Sequence, residues 1–273
     1  MQPRRIVFEQ LFHVFTPRYF MMFNSHTLKS RSVINVAVCV VSFLLISTPV
    51  WAEKTLQNGD VKEETKPHQP VTVAILGDSL AVGLHSGIVQ VARDTENIKV
   101  KKYSRVNTGL VRYDRYNWTA AAQKISKKDN SNIYIMMFGA NDLQSIREKS
   151  KRHHFQSEGW VKRYNERLDG IIKAVKKPDR KIYWVGLPIV GKSNFATGYK
   201  YLNDIFKKRA NANGITYISS WDWFASESGT FQMSGKGADG KKKMLRAQDK
   251  VHFTPQGYLD LGRYVAKEIS LLE

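Results

Sequence analysis

Apolar residues recur along this chain in two rhythms that take turns from Val71 to the C-terminus. Val71–Leu76, Ile133–Phe138 and Ile182–Leu187 are nearly unbroken apolar runs, the pattern of strands covered on both faces. Ile98–Tyr103 alternates with lysines and reads as an edge strand, and Ile215–Ser219 as a short fifth strand. Helical spacing intervenes. Ser157 is placed to cap a helix carrying Trp160, Tyr164, Leu168, Ile172 and Val175, stopped before Pro178. A second helix spans 198–212, with Tyr201, Ile205 and Phe206 on one side. The last has Thr254 as cap, Pro255 in its first turn, and Tyr258, Leu261, Val265, Ile269 and Leu272 along one stripe. Strands alternating with helices predict a parallel sheet covered on both faces, a three-layer α/β/α sandwich with five mainly parallel strands. Residues 222–248 show no period and read as one long loop, a length that points to a task.

The first 70 residues follow neither rhythm. Arg4, Arg5, Arg18, Lys29 and Arg31 precede an apolar segment from Val33 to Ala52 that closes on Val-Trp-Ala. That is the form of an export signal cleaved after Ala52, with an uncleaved membrane anchor as the other reading of so long an apolar run. Residues 53–70 are polar, lack apolar spacing and end in proline, so they read as a disordered tether before a single domain at 71–273. The start codon stays open, because Met21 or Met22 would give a shorter leader. The one cysteine, Cys39, lies in the apolar segment, so the domain itself has neither a disulfide nor thiol chemistry.

Charge narrows the partners. Lys and Arg number 43 against 24 Asp and Glu, a net charge of +19. In an exported protein such a balance favours an anionic envelope polymer or a membrane surface over nucleic acid, while a merely solvated basic surface gives the same count. Two clusters concentrate it, residues 147–154 (REKSKRHH) and 236–246 (KGADGKKKMLR). No glycine-rich phosphate loop and no two-histidine ligand motif is present, so neither a nucleotide cofactor nor a metal is expected.

Sites in open parallel sheets form beyond the carboxyl ends of strands, and the chemistry-bearing residues fall there. The first apolar run breaks at Gly77-Asp78-Ser79-Leu80. This is either a capped strand-to-helix turn or the place where a serine nucleophile is presented. Gly109 follows the second strand, Gly139-Ala140-Asn141-Asp142 follows the third, and Asp249-Lys250-Val251-His252 precedes the final helix.

These four blocks, in this order and approximate separation, resemble the SGNH (GDSL) hydrolase superfamily. The stretches NTGLVRYD, GANDLQ, WVGLP and LRAQDKVHFTPQGY are similar to a branch of exported bacterial proteins of unassigned function within it. The resemblance spans Val71 to Leu272 and implies a flavodoxin-like fold. Ser79 is then the nucleophile of a serine esterase and His252 its base; His85, His153 and His154 lack an acid at the Asp249–His252 spacing. Asp249 orients and stabilises the imidazole, as the acid of a serine triad does. The oxyanion donors implied are the Ser79 N–H, the Gly109 N–H and the Asn141 amide; a glycine that only turns the chain is the other reading of Gly109. Asp78 and Asp142 are expected to brace their loops through backbone N–H groups. Arg112 and Tyr113, just beyond Gly109, are candidates for substrate contact. The expected reaction is removal of an acyl group, acetyl first, from an envelope carbohydrate. Acyl transfer to a glycan through the same intermediate and a non-catalytic binding module on the same fold are its rivals. Neither the ester nor the oligomeric state is legible.

Overall fold

The computed structural model describes residues 70–237 and 240–273. The export segment at 1–52 and all but the last residue of the tether at 53–70 lie outside the described residues. The domain begins at β1 (Val71–Gly77), followed by α1 (Ser79–Val91), β2 (Ile98–Ser104), α2 (Trp118–Lys128) and β3 (Ile133–Met137). A two-stranded hairpin, β4 (Ile146–Glu148) and β5 (Lys151–His153), leads into α3 (Glu158–Val175) and β6 (Lys181–Val185). Then come α4 (Ser193–Ala212), β7 (Thr216–Ile218), a second hairpin of β8 (Ser234–Lys236) and β9 (Lys242–Met244), and α5 (Pro255–Glu268).

β1, β2, β3, β6 and β7 form one sheet in the order β2-β1-β3-β6-β7, every pairing parallel. The apolar runs are its buried centre, Val73–Leu76 and Tyr134–Met137 being wholly inaccessible, and the lysine-bearing β2 is indeed an edge. α1 packs against α5, and α2 against α3, which also meets α4, so helices cover the sheet. The order reverses direction between β1 and β3, because β2 lies to one side of β1 and all later strands to the other. The crevice that opens at such a point is where doubly wound sheets hold their ligands.

Two expectations need correction. α4 begins at Ser193, five residues before Gly198. Its start carries no side-chain cap, and Gly198 is an interior residue whose missing side chain makes room for Leu143, 2.6 Å from where a Cβ would stand. The 222–248 stretch is not a plain loop: a 3-10 turn at Asp222–Phe224 and the β8–β9 hairpin lie within it. Both basic clusters contain hairpin strands, 147–154 most of β4–β5 and 236–246 the last residue of β8 and all of β9.

Candidate active site

Gly77, the last residue of β1, has a φ of +148°, and a Cβ on it would stand 1.9 Å from the Met137 carbonyl oxygen. Only glycine lets β1 turn out this close to β3. The next residue, Asp78, caps α1: its Oδ1 accepts the Leu80 N–H at 3.0 Å. Its Oδ2 accepts the N–H groups of Gly139 and Ala140, both at 2.9 Å. One fully buried carboxylate thus ties the turn that carries Ser79 to the turn that carries Asn141. Burial pushes the Asp78 carboxyl up to about 7, against the three N–H groups that favour its ionised form.

Ser79 opens α1 and faces the loop that enters α5. Its Oγ lies 2.8 Å from His252 Nε2, although 173 residues separate the two in sequence. His252 Nδ1 lies 2.6 Å from Asp249 Oδ2. The other carboxylate oxygen of Asp249 accepts the backbone N–H groups of Val251 and His252, each at 2.9 Å, which curls the loop so that acid and imidazole share one side. Burial pushes the Asp249 carboxyl up. The hydrogen bonds from the His252 ring and the two backbone N–H groups outweigh it and hold the group at about 2. The imidazole and the carboxylate retain 36% and 47% side-chain exposure, so the pair is open to an incoming molecule.

Asp142, also fully buried, performs for the second loop what Asp78 does for the first. It accepts the Leu110 N–H at 3.0 Å, the Val111 N–H at 3.3 Å and the Tyr164 hydroxyl at 2.8 Å. Burial raises its carboxyl as well. This bracing decides Gly109, because a Cβ there would lie 2.1 Å from Asp142 Oδ1. Gly109 is therefore more than a turn residue: it admits the carboxylate that fixes its own loop. The Asn141 side chain stands beside it, donating one Nδ2 hydrogen to the Thr108 carbonyl at 2.8 Å. Gly109, Asn141 and Arg112 line one recess of about 210 Å³.

Tyr113 does not line that recess. Its ring packs under the Arg167 guanidinium at 4.2 Å and its hydroxyl meets Thr119 Oγ1 at 2.8 Å. Arg112 is clamped in a fork by Asp114, whose carboxyl is held at about 2 chiefly by that hydrogen bond.

Arg246 is the residue that sequence reasoning misplaced. Counted there within a solvated basic cluster, it is 1% exposed. Its Nη1 donates to the Ile189 carbonyl at 2.7 Å, its Nη2 to Val251 at 2.6 Å and its Nε to His252 at 3.4 Å. Its guanidinium lies over the Phe253 ring at 4.2 Å, and burial lowers its pKa to about 10. It holds the His252 loop from beneath, and among the described residues its hydrogen bonds go to backbone carbonyls and to no acidic side chain. The cue in sequence was faint: an arginine two residues before the Gln248-Asp249 step, outside the lysine run.

The five-stranded parallel sheet, with Ser79, His252 and Asp249 joined beyond its strand ends, has the α/β sandwich fold of SGNH hydrolases. Solved structures share this fold. A lipase/acylhydrolase from Enterococcus faecalis is 18% identical, with 73% of this chain and 95% of that one covered at a TM-score of 0.51. A catalytic mutant of an acetylxylan esterase from Geobacillus stearothermophilus is 17% identical over 74% and 94%, also at 0.51. A proposed SGNH hydrolase from Slackia heliotrinireducens is 13% identical over 74% and 100%, again at 0.51. The chain itself belongs to the family described as protein of unknown function (DUF459), which matches residues 72–268. No curated relative matches the sequence.

Proposed function

We propose that this protein is a serine ester hydrolase that removes an O-acyl group from a carbohydrate outside the cytoplasm. The observation that carries the reading is the unbroken relay from Ser79 Oγ to His252 Nε2 to Asp249 Oδ2, at 2.8 and 2.6 Å. With the Nδ1 proton directed to Asp249, Nε2 accepts the Ser79 proton as Oγ attacks the ester carbon. The carbonyl oxygen takes up negative charge as the new bond forms. The N–H groups of Ser79 and Gly109 and the second hydrogen of the Asn141 amide are its donors. The ester C–O bond breaks, and the leaving alkoxide collects the proton from His252. Water then attacks the acyl-serine, passes its proton through His252 back to Ser79, and releases the carboxylic acid. Asp249 stays ionised throughout and steadies the imidazolium.

The export-signal pattern of the N-terminal sequence, the basic charge and the sugar substrate in the name of the acetylxylan esterase of similar fold support a carbohydrate as the alcohol half. Among the described residues no helix is long and apolar enough to cross a membrane. The test is labelling of purified protein with a serine-directed fluorophosphonate, the site found by peptide mass. Label on Ser79 that disappears in His252→Ala is expected. Label on another serine, or label on Ser79 indifferent to His252, overturns the mechanism.

A further inference from the structure

We infer that the acyl half of the substrate is longer than acetyl and lies in an uncharged groove that runs from Ser79 along α1. The inference rests on the ester hydrolase reading above. The groove has a volume of about 480 Å³ and is lined by Ser79, Val82, Gly83, Gly87, Phe253 and Tyr258, with Gln90 at its far end. Not one lining residue is charged, in a chain where 25% of residues are. Ser79, Gly83 and Gly87 stand four apart, Val82 and Ser86 fall in the two steps between them, and Gln90 follows Gly87 by three. They therefore form one face of α1, which from Ser79 to Gln90 extends about 16 Å. The ring of Tyr258 lies where a side chain on Gly83 would go, 2.0 Å from the Cβ position. Phe253, next to His252 and 4% exposed, completes an aromatic wall that leads directly to the nucleophile.

A second recess, that of Gly109 and Asn141, has the opposite chemistry: Asn107, Thr108, Arg112 and Arg115 share it. An acylated carbohydrate also has two unlike halves. The uncharged groove offers a hydroxyl-rich sugar few polar groups in exchange for its water, chiefly Ser86 and Gln90, whereas the arginine recess supplies charged donors. The alcohol half accordingly belongs to the recess and the acyl half to the groove. An acetyl group would leave most of the groove to water, and each further methylene seated against Val82, Phe253 and Tyr258 adds apolar burial.

The experiment measures kcat/KM on p-nitrophenyl acetate, butanoate, hexanoate and octanoate, with the concentration of active enzyme set by titration of Ser79. An increase of about fourfold per added methylene is expected until the groove is full. A preference for acetate, or no dependence on length, overturns the inference. A parallel series of ethyl, hexyl and octyl acetates should be flat; a rise there with a flat acyl series places the alkoxy half in the groove and also overturns it. In Ser86→Trp, which fills the groove from α1, the octanoate-to-acetate ratio of kcat/KM should drop about tenfold or more. An unchanged ratio overturns the assignment, and because the ratio is internal to each preparation it does not depend on how much of the variant folds. The two readings fail separately. Loss of all ester cleavage with no label at Ser79 removes the hydrolase itself, whereas labelled Ser79 with acetate as the best substrate removes only the groove.

Discussion

Asp78 and Asp249 are both aspartates in hydrogen-bonded turns, yet their surroundings drive them in opposite directions. Asp78 has no exposure and faces only N–H donors, so a neutral amide in its place would point its NH2 at donors. Asp78→Asn should therefore cost about 2–3 kcal/mol, read as a lower midpoint in urea unfolding. Asp249 is held at about 2, below the 3.8 of an unperturbed carboxyl, so its contribution to stability is present above 3.8 and fades as pH falls from there through about 2. The stability gap between the native protein and Asp249→Asn should shrink over that window, measured by unfolding at each pH. In activity the same substitution should lower kcat by about 10⁴-fold, since the imidazole is then no longer fixed in the tautomer that leaves Nε2 bare. Ester turnover of Asp249→Asn at neutral pH checks this.

At the scale of elements, the loop from 246 to 254 is a device for delivering an imidazole to the end of another helix. The Asp249 turn shapes it from above and Arg246 from below, through three carbonyls and two phenylalanine rings. Arg246→Met keeps much of the apolar bulk but leaves the Ile189 and Val251 carbonyls without their donor. We expect a loss of about 2–4 kcal/mol in stability and a fall in kcat larger than any change in KM. Arg246→Lys should restore only part of either, since one ammonium cannot reproduce the fork; unfolding curves and steady-state kinetics of both variants decide it. The elements that sequence reasoning found are those with strong periods, such as β1, β3, α3 and α5. Those it missed have weak ones. α2 buries only Trp118, Ala122 and Ser126, a stripe too small and polar to stand out. The strands of both hairpins are three residues long, with Ile146 and Met244 their large apolar residues, so pairing partners define them and no alternation does.

For the whole molecule, an excess of Lys and Arg, of which only Arg4, Arg5, Arg18, Lys29 and Arg31 lie in the export segment, and two basic hairpins predict that an anionic glycan ester is drawn to the domain from a distance. Its kcat/KM should fall as ionic strength rises from about 0.01 to 0.5 M, while that of a small neutral ester should barely change; an equal response of both would remove the steering. The apolar rhythms alone determined the parallel strands and the lysine-bearing edge β2, while Ser79, Asn141, Asp249 and His252 were singled out because their strand-end blocks resemble those of SGNH hydrolases. Strand periods and strand-end residues are local properties that survive without coordinates. Tertiary structure decided that residues 173 positions apart meet at 2.8 Å, that Arg246 turns inward and Tyr113 away from the recess, and that Gly109 exists to admit Asp142. Those facts depend on which surfaces the crossing helices bring together, and no local pattern encodes a distance between surfaces.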